Sequence, residues 1–145
     1  MIDWSEGLPL KIGPILVGWT ETSPETAEFW RGVTRRELMI KHCQQCARYL
    51  HPRRVLCPEC RIGELGWQRS QGTGKVYSFS TIYRAPTPEF ETPYTNGIVC
   101  LNEGVYLFGR LVGKDPDEYR IDDEVEVEFA PIGPGDNLLP VYRVQ

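Results

Sequence analysis

Residues 43–60 read CQQCARYLHPRRVLCPEC, and the spacing Cys43-x2-Cys46-x10-Cys57-x2-Cys60 decides how the rest of the chain is read. Two sulfur pairs this close in sequence can occupy the corners of one tetrahedron. Zinc, a d10 ion with no preferred geometry of its own, accepts that arrangement readily. The spacer of ten residues is short, so the loop between the pairs must be compact. Two disulfides are the competing reading, but nothing else in the chain has the stamp of a secreted protein. Four sulfurs leave no open coordination position, which makes the metal structural rather than catalytic. Iron accepts the same four ligands and stays open at this stage.

The chain has 145 residues, 41% hydrophobic and 25% charged, the balance of a soluble globular protein of one ordinary or two small domains. Pro9, Gly13 and Pro14 interrupt the apolar points before Trp19, and no basic segment precedes them, so no signal peptide is read. No stretch reaches the roughly 20 apolar residues of a membrane span. With four of its five cysteines assigned to metal, the chain is expected in the reducing cytoplasm. The net charge of −4 argues against nucleic-acid binding, because the bases are scattered apart from Arg35-Arg36 and Arg53-Arg54.

Residues 1–22 read as an extended segment that cannot build its own core. Ser23-Pro24-Glu25 then predicts a helix of about ten residues, with a hydroxyl N-cap and Pro at N1. Its expected apolar face carries Ala27, Trp30 and Thr34, with Phe29 and Val33 beside them. Glu37 to His42 reads as a strand entering the first cysteine pair, and the ribbon ends near Trp67. A unit of roughly 30 residues cannot fold unaided, so the metal must stabilise it.

From Gly72 the pattern becomes strands: Lys75 to Arg84, Tyr94 to Leu101, Val105 to Val112, Glu124 to Phe129 and Leu138 to Val144. Asn102-Glu103-Gly104 joins the second and third as a tight hairpin. Five such strands in about 70 residues predict a small closed barrel, with the OB-fold the leading candidate. The fold class is therefore mainly β. Residues 1–36 are an extension and helix for partner docking, 37–70 a rubredoxin-like zinc ribbon, and 71–145 the OB-fold.

This order of parts resembles the zinc-ribbon and OB-fold proteins of the DUF35 family. The residues that carry the resemblance are Glu28-Phe29-Trp30, the two cysteine pairs, Pro52-Arg53, Gly72-Thr73-Gly74-Lys75-Val76-Tyr77-Ser78, Arg84-Ala85-Pro86-Thr87-Pro88-Glu89-Phe90, Pro93-Tyr94 and Glu103-Gly104. Two departures stand out. Ala47 and Arg61 stand where such knuckles usually have glycine, which predicts a somewhat different knuckle shape, and the extension 1–22 exceeds the family core. The resemblance implies a small, non-catalytic subunit that partners a thiolase-like enzyme in complexes acting on coenzyme A thioesters. Such complexes include those of aromatic and steroid degradation.

The chain's own chemistry agrees with a non-catalytic part. Cys100, the only thiol outside the ribbon, lies in the apolar run Gly97 to Leu101 and reads as a core residue. His42 and His51 adjoin the cysteines with no nucleophile nearby in sequence, so no acid–base or nucleophilic set can be assembled. For a bound coenzyme A, Arg53, Arg54, Lys75, Arg84 and Arg110 are the candidate phosphate contacts. The Gly72-x-Gly74 pair precedes a strand and is not a phosphate loop. The proline-rich loop around Phe90 is read equally as a lid, an anchor in a partner, or simple packing. A single-stranded nucleic-acid module is the runner-up function, and a stand-alone acyl-CoA carrier the third.

Overall fold

The computed structural model describes residues 23–61, 63–86, 88, 90–132 and 137–145. The expected extended segment 1–22 lies outside them, as does most of the loop before Leu138.

Helix α1 spans Ala27–Thr34, shorter than expected and starting later. Residues 24–26 instead form a turn closed by the Thr26 N–H on the Ser23 carbonyl at 2.9 Å. The Thr26 hydroxyl lies 3.2 Å from that of Ser23 and caps no helical N–H, so the Ser-Pro start does not propagate. The buried face also differs from expectation. Gly32 and Val33 are buried and Phe29 packs on the core, whereas Thr34 is exposed. The reason is Met39, whose side chain lies against Gly32 where a larger residue would collide with it.

The helix ends in a Schellman motif. The N–H of Glu37 reaches the Gly32 carbonyl at 2.8 Å and that of Arg36 the Val33 carbonyl at 2.9 Å. Arg36 supplies the left-handed residue at φ 60, and its guanidinium donates to the Phe129 carbonyl. Helix and barrel are thereby tied together at the point where the chain turns into the ribbon.

The ribbon is a three-stranded antiparallel sheet in the order β2-β1-β3, from β1 (Met39–Cys43), β2 (Tyr49–Leu50) and β3 (Leu65–Arg69). The barrel follows with β4 (Thr73–Ile82), β5 (Tyr94–Leu101), β6 (Tyr106–Val112), β7 (Glu124–Pro131) and β8 (Leu138–Val144). It closes in the order β4-β5-β6-β8-β7, with β6 and β8 parallel and every other pair antiparallel. That is the expected five-stranded OB barrel.

In β4 the inward residues Val76 and Phe79 are three apart, which strict alternation forbids. A register shift between Val76 and Ser78 absorbs the extra residue and bends the strand around the barrel. The Asn102-Glu103-Gly104 hairpin forms as expected, with Gly104 at φ 83.

One core joins the parts. Leu38 and Ile40, on the approach to the cysteines, pack with Val76, Val99, Leu101 and Tyr142 of the barrel. The metal therefore is not the ribbon's sole support, because its first strand is anchored in barrel packing. A second, smaller cluster of Ala130, Ile132 and Val141 is covered by Phe90, which stacks on Tyr94 at 6.0 Å. Packing of Phe90 on the barrel, one of the three readings of that loop, is what the structure shows.

Candidate metal centre and adjoining clefts

Two strand ends and two tight turns bring the cysteines together. Cys43 ends β1, and Cys57 follows the loop that leaves β2. The four sulfurs lie within 4.8 Å of one another, with Cys46 and Cys57 at 3.6 Å. A tetrahedron with Zn–S of about 2.3 Å has edges of about 3.8 Å, so the cluster has the right size for one ion. No pair is at disulfide bonding distance, which removes the two-disulfide reading.

Each cysteine pair turns on a residue at positive φ, Ala47 at 61 and Arg61 at 58. Their N–H groups close back onto the carbonyls of Cys43 at 2.9 Å and Cys57 at 2.8 Å. The glycine conformation is thus kept without glycine, and the expected change of knuckle shape does not arise. Side chains in this region cost roughly 1–2 kcal/mol each.

The electrostatics of the four thiols point the same way. The Cys46 backbone N–H draws Cys43 down to about 7, with the Gln45 N–H assisting. Hydrogen bonding to Cys46, then burial, pushes Cys60 up to about 12. Four thiolates this close repel one another unless a dication sits between them, and a soft dication matches four sulfur donors. Cys43 and Cys57 are fully buried, Cys60 half-buried and Cys46 exposed, so the four-sulfur centre sits at the surface with two of its ligands inside.

His42 does not join the sulfurs. Its ring packs 5.0 Å from Tyr49. His51 Nδ1 accepts the Arg53 N–H at 3.1 Å, and burial, with Arg53 and Arg54 beside it, holds the imidazole below its ordinary value. The neutral ring therefore carries its proton on Nε2.

The five candidate phosphate contacts do not converge on one place. Arg53 and Arg54 share a cleft between ribbon and barrel with Arg48, Tyr49 and Tyr106. Lys75 lies in another, flanked by Glu124 and Glu126. Arg84 is exposed beyond β4, and Arg110 stacks 4.1 Å over Tyr94 while donating to Asn96. Cys100 is not in the core: the inward residues of β5 are Val99 and Leu101, and Cys100 is half-buried on the outer face opposite Tyr106. Sequence reasoning also missed Lys41, a buried lysine of β1, which donates to the Arg54 carbonyl and faces the Trp67 ring. A lysine among Met39, Ile40 and Cys43 was the available signal.

Among the described residues no helix is long and apolar enough to cross a membrane.

Comparison with known proteins follows the same division. Residues 30–66 match the rubredoxin-like zinc ribbon domain of ChsH2 and residues 67–130 its C-terminal OB-fold domain. A DUF35 domain-containing scaffold protein of Methanothermobacter thermautotrophicus is 39% identical over 74% of this chain and 84% of its own length. A benzoylsuccinyl-CoA thiolase subunit of Geobacter metallireducens is 35% identical over 68% of this chain and 66% of its length. A probable enoyl-CoA hydratase alpha subunit of Thermomonospora curvata is 36% identical, but this chain spans only 36% of its length. Among solved structures, the Ltp2-ChsH2(DUF35) aldolase matches with a TM-score of 0.78 at 32% identity, over 86% of this chain and 97% of that one. Both halves of the fold and the cysteine centre being matched, the chain belongs to the DUF35 family of zinc-ribbon and OB-fold proteins.

Proposed function

We propose that this chain is the non-catalytic subunit of a heteromeric, thiolase-type complex acting on acyl-CoA thioesters. The observation that carries this reading is the joint match, in sequence and in fold, to proteins named as scaffold proteins and as thiolase or hydratase subunits. The placement of its cysteines supports it. Four are committed to the ribbon, where Cys43, Cys46, Cys57 and Cys60 hold zinc, and Cys100 points its thiol at the Leu101 carbonyl rather than at a histidine. The covalent chemistry then belongs to the partner. Residues 1–36 and the ribbon dock the catalytic subunit, and the barrel borders the coenzyme A entrance. Reduced metal-bound thiolates fit a cytoplasmic site of action.

Co-expression with a thiolase-like protein tests the reading. The expected result is a complex that survives purification, with thioester cleavage only when both chains are present. A catalytic protein that is fully active alone and does not retain this chain would overturn it.

A further inference from the structure

One outer face of the barrel is more apolar than a solvated face needs. Leu107 and Leu111 of β6 turn inward, so Tyr106, Phe108 and Arg110 turn outward. Across the pairing with β5 they stand opposite Cys100, Ile98 and Asn96. Tyr77, at the register shift of β4, sets its ring 5.0 Å from that of Tyr106. Phe108 is 71% exposed and Tyr77 57%. Tyr106, Phe108 and Arg110 thus form a row with a spacing of roughly 7 Å.

Arg110, at the end of the row, is held in place by its neighbours. Its guanidinium lies 4.1 Å over the Tyr94 ring, which stacks in turn on Phe90. Its Nε donates to Asn96 Oδ1 at 3.2 Å, which ties down one edge of the planar group. The two terminal amino groups form a fork that, among the described residues, meets no carboxylate. Arg35 and Arg143 show the contrast, the first paired with Glu28 and Glu37 and the second with Glu128. Burial holds Arg110 below its ordinary value, and the groups that counter this are Tyr94 and Tyr119 rather than an acid. A guanidinium so placed gains most from a carboxylate received in the plane of its fork.

We propose that the outer face of β5 and β6 is a docking surface for the catalytic subunit, with Tyr106 and Phe108 as apolar anchors and Arg110 receiving an aspartate or glutamate side chain of that partner. The inference rests on the subunit role proposed above and extends its contact from residues 1–36 and the ribbon onto the barrel. Exposed aromatic rings beside an arginine are the composition of an interface centre. The face is also continuous with α1, because Phe108 borders the same cleft as Phe29 and Trp30. A second copy of this chain is a poorer occupant. Neither β5 nor β6 contains an aspartate or glutamate, so a two-fold pairing of the face with itself leaves both guanidiniums unmatched.

Hydroxyl-radical footprinting of the zinc-loaded full chain, free and in complex with a co-expressed thiolase-like protein, tests the assignment. In the complex, oxidation of Tyr106 and Phe108 should fall toward the rate of Tyr142, a ring already buried in the free chain. Phe108→Ser and Arg110→Gln should each weaken the complex about tenfold or more. Arg110→Lys, which keeps the charge without the fork, should not restore it. Arg84→Gln, exposed beyond β4, should change nothing. Because Phe108 is exposed, its variant tests the face even where loss of Arg110 disturbs the stack on Tyr94. A complex in which Tyr106 and Phe108 are oxidised as fast as in the free chain, and which Phe108→Ser joins at full strength, overturns this face and leaves the subunit role standing. Protection of the same rings in a dimer of the chain alone assigns the face to a second copy and overturns the proposal too. Failure to form any complex removes the subunit role and, with it, this occupant.

Discussion

The Lys41 ammonium donates to the carbonyl oxygen of Arg54 at 2.6 Å, from a side chain that is almost fully buried. The contact runs from the first ribbon strand to the loop between the cysteine pairs. It fixes the end of the His51 to Arg54 segment against β1, while the same ammonium lies 4.9 Å from the centre of the Trp67 ring. Lys41→Met keeps the stem and removes the donor. Hydrogen bonds from a charged group contribute about 1.5–3 kcal/mol. Amide exchange in residues 51–56 should therefore quicken by roughly tenfold or more, with little change in the barrel amides. Unchanged exchange in the loop would show that Pro52 and the cysteines position it alone.

Removing one metal ligand should unfold the ribbon's far end first. Cys57→Ser is expected to lose metal stoichiometry, and exchange protection from Arg48 to Leu65 should collapse. Leu38 and Ile40, packed in the barrel core, should keep theirs. Metal content by elemental analysis with residue-resolved exchange checks this. Rebinding metal should release protons at neutral pH, because the Cys60 thiol, held at about 12, must ionise on ligation.

The positive-φ residues of the knuckles make a paired prediction. Ala47→Gly relieves left-handed strain but adds freedom to the unfolded chain, so the net effect should lie between zero and about 1 kcal/mol stabilising. Ala47→Val adds a β-branched side chain at the same φ and should cost about 1–2 kcal/mol. Thermal melts of the metal-loaded variants separate the two signs.

Asp123 accepts from Lys114 Nζ at 2.8 Å and from the Arg120 N–H at 2.8 Å, and its carbonyl receives the Val76 N–H. The Lys114 contact, foremost, holds the Asp123 carboxyl below its ordinary value. A depressed carboxylate contributes stability that is fully present above the ordinary carboxylate range, near pH 4, and is lost as pH falls through the depressed value. Asp123→Asn should cost about 1 kcal/mol at pH 7 and flatten the acid limb of the stability profile. A wild-type-like limb in the variant would assign that limb to other carboxylates.

How much of this was readable beforehand follows from the physics of each part. The cysteine quartet was legible because ligation demands fixed spacing. The strands were legible because a half-buried strand repeats every two residues, as Glu124 to Phe129 does. The helix start was not, because it turns on which way the Thr26 hydroxyl points. Cys100 was misplaced because an unbroken apolar run carries no alternation, and its face is fixed by pairing with Lys75 and Tyr106. The cleft between ribbon and barrel was invisible because Arg53 and Tyr106 come to line one space only once the ribbon folds onto the barrel.

Barrel closure has a consequence for assembly. Each of the five barrel strands is hydrogen-bonded to two others, but the β4–β7 pairing covers only Thr73 to Lys75 and the β6–β8 pairing only Arg110 to Val112, so the far half of β4 and the start of β6 are paired on one side alone. The ribbon sheet is different: β2, with two residues, and β3, with five, are its borders. Among the described strands, only the borders of the small sheet are organised by the cysteines, so removing the metal would dismantle those edges while the one-sided stretches of the barrel stay in place.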